Sequence, residues 1–250
     1  MALALIWWSL LRFAQCLPAG DTPNTIAPNG RVTNHEVTTT NADIQYCGAL
    51  NDSTIMTTGD DEDEDGPGFW ITNRDNSSDV KYFLYENSRD EHPWKYLSIP
   101  IGTTAFVSVC KTWQGRVVRG TPEVNLDGQV HNLGTWFASS IGPNGWMWGD
   151  ISFQEGCDGG GSVAATDWSY GIRLCYEDLL TGAPPAALAT KQTGTKVLAK
   201  TVGDKPNQAA RDWELSKCSP SQMWINGNID GPVIKSTNGR LEFLFHGGLA

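Results

Sequence analysis

Basic residues are scarce in this chain of 250 residues. Lys and Arg together number 18, against 28 Asp and Glu, which gives a net charge of −10. A protein that binds nucleic acid needs clustered basic side chains to neutralise phosphates, and the sequence holds no such cluster. The composition therefore argues against a nucleic-acid partner.

Long apolar runs are also absent. No stretch approaches the roughly 20 apolar residues that a membrane-spanning helix needs, so we expect no membrane span. Residues 1–16 are short and apolar, and Ala14-Gln15-Cys16 places small residues around a cleavage site. This pattern predicts a signal peptide that is removed, and hence a secreted protein. Sequons at Asn51 and Asn76 would suit glycosylation of such a protein.

The six cysteines lack the spacings of a metal site. No Cys-x-x-Cys pair occurs, no cysteine stands at zinc-finger spacing from a histidine, and phosphate-loop and dinucleotide motifs are missing. We therefore predict neither a metal nor a cofactor. Removal of residues 1–16 leaves an odd number of cysteines, which predicts two disulfides and a free thiol, or three disulfides if Cys16 is retained. The candidates are Cys47, Cys110, Cys157, Cys175 and Cys218.

Residues 17–67 form a segment of distinct composition. They are rich in Thr, Asn, Pro and Gly and poor in large apolar side chains, so they bury too little surface to offset chain entropy and are predicted to be disordered. The acidic run Asp60 to Asp65 lacks the spaced ligands of a calcium loop, and a solvated linker explains it better. Cys47 is a candidate tether to the body, residues 68–250.

The body has the pattern of strands. Val80-Lys-Tyr-Phe-Leu-Tyr85 and Thr104 to Cys110 are rich in aromatic and β-branched residues, and Arg240 to Phe245 alternates. One helix is predicted over 207–217. Turn residues spaced about 10 residues apart, without strand–helix alternation, predict an all-β fold: an antiparallel sandwich or barrel with one short helix and long loops. Further strands are predicted at 69–73, 96–101, 115–119, 134–140, 147–154, 172–177, 195–201, 222–226 and 232–236.

Residues 113–167 are the predicted functional stretch. They hold 11 of the 27 glycines and 4 of the 11 tryptophans. In a strand over 146–154, Trp146, Trp148 and Asp150 share one face. Two indoles beside a carboxylate offer a surface that stacks on the apolar face of a sugar ring; alternatively, a neighbouring loop covers both rings.

No complete hydrolase motif occurs. Gly160-Gly-Ser-Val-Ala164 departs from Gly-x-Ser-x-Gly at its last position, and no helix pattern follows it. The four histidines show no spacing that identifies a base, although His131 lies within the functional stretch. A Ser-His triad is therefore not predicted. Arg119 offers a fixed cation for bidentate contact with acids, or else a surface ion pair.

Four motifs resemble those of a known family and follow the family's order. They are Phe69-Trp-Ile-Thr-Asn73, Gly115-Arg-Val-Val-Arg-Gly-Thr121, Gly134-Thr-Trp-Phe-Ala138 and Trp148-Gly-Asp-Ile-Ser-Phe-Gln-Glu-Gly-Cys157. On these motifs the chain resembles the thaumatin-like (osmotin-like) proteins, in the secreted form found in filamentous fungi. The resemblance covers residues 69–250 and implies a β-sandwich body.

The resemblance also implies a cleft of one Arg, one Glu and several Asp that binds, and in some members cleaves, β-1,3-glucans. Arg119 would match the cleft Arg and Asp150 a cleft Asp, and an ion pair between them would keep Asp150 ionised. Ala138 stands where the family has its Glu. Asp158 and Glu155 are the nearest substitutes in the sequence.

Glycoside hydrolysis normally needs two carboxylates, so Ala138 favours a secreted, non-catalytic monomer. We expect it to bind cell-wall polysaccharide of the β-glucan type or a host component, in the manner of a fungal effector. One alternative is a weak β-1,3-glucan hydrolase with Asp150 and Arg119 as catalytic residues. Another is an auxiliary protein that acts on a secreted small molecule. The predicted ligand contacts are Trp146, Trp148, Glu155 and Asp158.

Overall fold

The structure, a computed structural model, describes residues 47–48, 55–56, 66–77, 80–225 and 232–248. The predicted signal peptide, most of the predicted disordered segment and the sequon at Asn51 lie outside these ranges. Within the ranges, no helix is both long enough and apolar enough to cross a membrane.

The described residues form two large sheets and one small one. The seven-stranded sheet has the order β1 (Ile55–Met56), β4 (Lys95–Ser98), β3 (Lys81–Glu86), β6 (Gln114–Gly120), β7 (Trp136–Ile141), β8 (Met147–Ser152) and β13 (Ile234–Ser236). The five-stranded sheet has the order β10 (Ile172–Cys175), β9 (Gly160–Ala165), β14 (Arg240–His246), β2 (Gly68–Arg74) and β5 (Thr104–Ser108). The small sheet pairs β11 (Leu188–Thr190) with β12 (Lys196–Leu198). Neighbours are antiparallel except in the pairs β1–β4 and β2–β14.

The two large sheets pack face to face through aromatic rings. The ring of Phe137 on β7 lies 4.2 Å from that of Phe245 and 5.2 Å from that of Phe243, both on β14. Strand β14 alternates as its sequence predicts, since Leu241, Phe243 and Phe245 are buried and Glu242 is exposed. The predicted all-β fold with an antiparallel sandwich is therefore confirmed.

The glycine-rich stretch Gly156 to Ser162, predicted as a loop, contains the start of strand β9, which lies between β10 and β14. A Cβ atom on Gly161 would lie 2.6 Å from the ring of Phe137, which is too close for any side chain. Here glycine allows one sheet to approach the other and does not make a turn. The loop prediction for 160–162 is therefore wrong.

Other short segments also differ from the sequence prediction, including β1, which lies within the segment 17–67 that was predicted to be disordered. Residues 222–225, the described part of the strand predicted at 222–226, form no strand, because Trp224 makes only an isolated bridge with Ser152. Strand β11 was not predicted, since its three residues, Leu-Ala-Thr, are too few to show an alternating pattern.

The predicted helix over 207–217 is confirmed as α2 (Gln208–Lys217). Its N-cap is Asn207, whose side-chain oxygen accepts a hydrogen bond from the Ala210 N–H at 2.9 Å. This bond satisfies one of the donors that a helix leaves free at its first turn. The other helical elements are α1 (Pro122–Asn125) and a 3-10 turn over Pro185–Ala187.

Two disulfides form among the described cysteines, as the count predicted. Cys47 bonds to Cys110, and Cys175 bonds to Cys218. The first bond tethers the N-terminal segment to the body. Cys157 is a free thiol that is fully buried in the core, and its candidacy for a disulfide is therefore wrong. Burial raises the pKa of this thiol well above its usual range, so the thiol is protonated and packs as an apolar group.

Candidate functional site

Arg119, predicted to lie in an open cleft, is buried between the two large sheets. Its side chain has no exposed surface. Nε donates to Asp75 Oδ2 at 3.0 Å and Nη1 to Asp158 Oδ1 at 2.5 Å. Nη2 donates to the Gly160 carbonyl at 3.0 Å, and the guanidinium lies 4.9 Å from the ring centre of Phe245. Arg119 therefore joins β6 to the opposite sheet as a structural cation.

Asp158 is the second buried member of this ionic cluster. Its Oδ2 accepts a hydrogen bond from Lys191 Nζ at 2.9 Å, and its Oδ1 accepts one from the Thr135 N–H at 3.2 Å. Burial alone would raise the pKa of Asp158, but the charges of Lys191 and Arg119 outweigh it and hold the pKa below its usual range. Asp158 is thus ionised and fully engaged, and cannot supply a proton as a general acid.

The predicted ion pair between Arg119 and Asp150 does not form. Strand pairing places Arg116 beside Ala138, and Ala138 beside Asp150. These three residues therefore lie in one row on the outer face of the seven-stranded sheet, whereas Arg119 points inward. Side chains three residues apart on a strand face opposite ways. This is why Arg116, and not Arg119, shares a face with Asp150.

Arg116 has its own set of partners. Its Nη1 lies 2.7 Å from Asp90 Oδ1, and its Nη2 donates to Asn132 Oδ1 at 3.1 Å. The guanidinium lies 4.2 Å from the ring centre of Trp136 and 4.8 Å from that of Tyr85. Strand alternation over 114–120 places Arg116 on this face, but nothing in the sequence identifies Asp90 as its partner.

The predicted cleft acids do not form an open acidic site. Asp150, Glu155 and Asp158 are respectively 0, 6 and 1 % exposed, and Glu155 pairs with Lys200 at 3.1 Å. A glycosidase needs two carboxylates that a sugar can reach. The geometry offers no such pair among these three residues, and contact of Glu155 and Asp158 with a ligand stays a prediction that the burial of both side chains does not support.

A depression beside the buried ionic cluster is too small for a sugar. Trp136, His131, Asn132, Lys191 and Thr193 contribute to its lining, and its cavity volume is about 10 Å³. Such a volume holds about one water molecule. The depression is therefore excluded as the ligand site in this conformation.

Trp146 and Trp148 belong to a different surface, at the β13 edge of the seven-stranded sheet. Both rings are half-buried. Lys235, which pairs with Trp148 across β8 and β13, places its Nζ 4.2 Å from the ring centre of Trp146 and 5.3 Å from that of Trp148. The same Nζ lies 4.1 Å from the ring centre of Tyr170, which is 49 % exposed. We call these four residues the aromatic platform.

The turn that carries Tyr170 is held by Asp167. The carboxylate of Asp167 accepts hydrogen bonds from the Ser169 N–H and hydroxyl, and from the Thr237 N–H and hydroxyl, at 2.6–3.1 Å. It also accepts one from the Asn238 N–H at 3.1 Å. Desolvation raises the pKa of Asp167, but these hydrogen bonds together outweigh it and hold the pKa below its usual range. Within this turn Trp168 is 82 % exposed and has a positive φ of 59°, a conformation that is unfavourable for a bulky residue.

The sequence identified only half of the aromatic platform. Trp146 and Trp148 follow from strand alternation, whereas Lys235 and Tyr170 come from elements far away in the chain. The remaining predicted modification site, Asn76, is exposed, and its glycosylation stays a prediction.

One group of possible metal ligands lies in the described ranges. Cys47, Glu86 and Cys110 bring two sulfurs and a carboxylate oxygen within 4.8 Å of one another. The two sulfurs are bonded to each other in a disulfide, so they do not offer the thiolates that bind a metal. Glu86 instead accepts a hydrogen bond from the Cys47 N–H at 2.6 Å.

No protein-family model matches the chain, and no curated protein matches it. Among solved structures, the chain is similar to a laminaripentaose-producing β-1,3-glucanase in complex with laminaritetraose. That similarity covers 53 % of this chain and 52 % of the glucanase, at 10 % sequence identity and a TM-score of 0.30. The chain thus matches about half the length of that enzyme, and a likeness at this level carries no argument about function.

Proposed function

We propose that this protein is a secreted, non-catalytic protein that binds polysaccharide through its aromatic platform. The observation that carries the proposal is the position of Lys235. Its ammonium group lies within 5.3 Å of three ring centres, and those rings are themselves only partly covered.

The chemistry of the aromatic platform suits a sugar. Aromatic faces contact the apolar C–H face of a pyranose, and an ammonium group donates hydrogen bonds to ring hydroxyls. Cation–π contacts hold Lys235 in place before a ligand arrives, so little side-chain entropy remains to be lost on binding.

The carboxylates support binding without catalysis. Asp158 is engaged by Arg119 and Lys191, and Glu155 pairs with Lys200. A general acid must carry a proton at the operating pH. The lowered pKa of Asp158 keeps its carboxylate ionised, so it carries no such proton. Ala138 removes the Glu that the resemblance to thaumatin-like proteins would place in the cleft.

A neutral polymer is the ligand class that fits the charge. At a net charge of −10, the protein repels acidic glycans at low salt. The resemblance to thaumatin-like proteins makes β-1,3-glucan the first polymer to test. Secretion is supported by the predicted signal peptide and by the two disulfides, which persist in oxidising compartments.

The test is co-sedimentation of the purified protein with insoluble β-1,3-glucan, chitin and cellulose, with release of soluble sugar measured in the same tubes. We expect binding to at least one of these polymers and no release of sugar. Trp148→Ala should weaken binding. The matched control is Trp213→Ala, since Trp213 is also half-buried beneath a lysine, with Lys217 Nζ 4.7 Å from its ring centre.

Three results would contradict the proposal. The protein fails to bind any of the three polymers, or Trp148→Ala and Trp213→Ala weaken binding equally, or soluble sugar appears in amounts that depend on Asp150. The last result would show that the protein is a hydrolase, contrary to the proposed non-catalytic function.

A further inference from the structure

The most exposed tryptophan of the described residues stands two residues before Tyr170 of the aromatic platform. Trp168 is 82 % exposed, whereas every other described tryptophan is buried or half-buried. An indole has a large apolar area, and one that is left open to water gives up the stabilisation that burial of this area would bring. Packing in the folded chain therefore does not explain a tryptophan at this position.

The backbone of Trp168 is also in an unfavourable conformation. Its φ is 59°, and the only other non-glycine residue with a positive φ in the described ranges is Ser88. The Trp168 N–H donates to the Ala165 carbonyl at 3.1 Å and closes the turn after β9. Glycine is the usual residue at such a left-handed position, because a Cβ atom makes the conformation strained. Strain of this kind persists mainly at functional sites.

The turn that carries Trp168 is fixed to the strand of Lys235. The Ser169 hydroxyl donates to the Lys235 carbonyl at 3.2 Å, and Asp167 accepts hydrogen bonds from the Thr237 N–H and hydroxyl. These bonds join both neighbours of Trp168 to β13 and the turn that follows it. Trp168 therefore stands on an anchored backbone, which limits the entropy lost when a ligand contacts its ring.

Trp168 precedes β10 and lies close to the aromatic platform. Residues two apart in a chain have their Cα atoms within about 7 Å of each other, and the Tyr170 ring centre lies 4.1 Å from Lys235 Nζ. A polymer that is bound over Tyr170 and Lys235 therefore passes within reach of the indole of Trp168.

We infer that Trp168 is a further sugar-contacting residue at the edge of the aromatic platform, retained there at a cost in folding stability. This inference rests on the proposed function and adds to it a ligand contact that lies outside the strands. The exposed indole face suits the apolar face of a sugar ring. A second copy of the chain is disfavoured as the occupant, because two chains with a net charge of −10 each repel one another.

Trp168→Gly separates binding from folding, because it removes the ring and the backbone strain together. We expect its melting temperature to rise by about 2–4 °C. Its binding to insoluble β-1,3-glucan, chitin or cellulose, measured on the full chain by co-sedimentation, should weaken roughly three- to thirtyfold. Trp168→Ala should weaken binding equally without the gain in stability. Trp168→Phe keeps an aromatic face, and its affinity should stay within about threefold of the wild type.

Ser88→Gly is the matched control for the backbone. Ser88 has a φ of 66° and lies in the turn after β3, outside the aromatic platform. This change should also raise the melting temperature and should leave polymer binding unchanged.

Chemical footprinting measures contact with Trp168 directly. N-bromosuccinimide oxidises accessible indoles, so a brief treatment of the full chain should modify Trp168 first, as read by peptide mass spectrometry. Bound polymer should protect Trp168 from oxidation. Trp213, which is half-buried on α2, should be oxidised to the same extent with and without polymer.

The outcomes separate this inference from the proposed function. If Trp168→Ala binds as tightly as the wild type while Trp148→Ala weakens binding, the platform binds without Trp168 and the inference is wrong. It is also wrong if Trp168→Gly lowers the melting temperature, because the ring then supports the fold. A dimer that Trp168→Ala abolishes in sedimentation would make Trp168 a protein contact instead. If the wild type binds none of the three polymers, the proposed function fails together with the inference.

Discussion

Arg119 and Asp158 form an ion pair of 2.5 Å between the two sheets, and both side chains are at most 1 % exposed. A buried pair of this kind adds little stability compared with apolar residues, but loss of one partner leaves the other charge buried and unpaired in the core. Arg119 retains Asp75 when Asp158 is lost, whereas Lys191 loses its carboxylate.

We therefore expect Asp158→Asn to lower the free energy of unfolding by about 3 kcal/mol, measured by urea denaturation at neutral pH. The matched control is Glu155→Gln. Its partner Lys200 is 42 % exposed, so that change should cost less than about 1 kcal/mol. Equal losses in the two variants would contradict the structural role assigned to the Arg119 cluster.

Glu214 on α2 should make stability fall as the pH rises. Its side chain is fully buried, and neither carboxyl oxygen has a hydrogen-bond partner among the described residues. Burial raises the pKa of Glu214 well above its usual range. The protonated Glu214 therefore contributes its full share of stability below the unfolded-state pKa. That contribution is lost as the pH rises toward the folded-state pKa.

Glu214→Gln copies the neutral carboxyl and removes this dependence. Near pH 4 we expect the variant and the wild type to have similar free energies of unfolding. Above the unfolded-state pKa, the free energy of unfolding of the wild type should fall below that of the variant by about 1.4 kcal/mol for each pH unit, until the folded-state pKa is reached. Denaturation curves from pH 4 to 8 test this, and a constant difference across the series would disprove a protonated Glu214.

Replacement by Ala should cost much less stability at Trp148 than at Trp113. Trp113 is fully buried, and its Nε1 donates to Ser139 Oγ at 2.9 Å, so Trp113→Ala should cost about 3–5 kcal/mol. Trp148 is only half-buried, and we expect Trp148→Ala to cost less than about 2 kcal/mol. Thermal unfolding measures both, and a loss at Trp148 as large as that at Trp113 would place its ring in the core.

Local pattern predicted the parts of the structure that depend on nearby residues. Period-two alternation placed the β14 side chains, and apolar spacing located α2. Local pattern could not predict contacts between residues of elements that are far apart in the sequence. Asp75 meets Arg119 across 44 residues, and Lys235 reaches Trp146 only because β13 pairs with β8. The glycines of β9 were wrongly predicted to form a loop, because glycine is required both in turns and where two sheets pack closely.

The disulfide between Cys47 and Cys110 should retain the N-terminal segment after proteolysis. The composition of 17–67 predicts cleavage within or near the acidic run Asp60 to Asp65. We expect a resistant core that starts near 66–69, with the cut piece attached until reductant is added. Gels run with and without reductant test this. Early cleavage within 104–154 instead would contradict the domain boundary.

Hydrolysis of β-1,3-glucan should be absent in the wild type and partly restored by Ala138→Glu. Ala138 is half-buried and pairs with Asp150 across β7 and β8. Paired residues place their Cβ atoms about 5 Å apart, so a Glu at this position can bring its carboxyl group near that of Asp150, as glycoside hydrolysis requires. A Glu at this position would also lie beside Arg116, whose charge holds a carboxylate ionised and so limits any proton donation.

The expected result is therefore a small release of reducing sugar by Ala138→Glu, none by Ala138→Gln, and none by Ala138→Glu combined with Asp150→Asn. Ala138→Gln matches the size of the new side chain without its charge, so it separates catalysis from altered binding. Asp150 is fully buried in the wild type, and the substituted strand must open slightly for a sugar to reach it. Robust cleavage by the wild type, abolished in Asp150→Asn, would instead make this protein an enzyme and overturn the non-catalytic assignment.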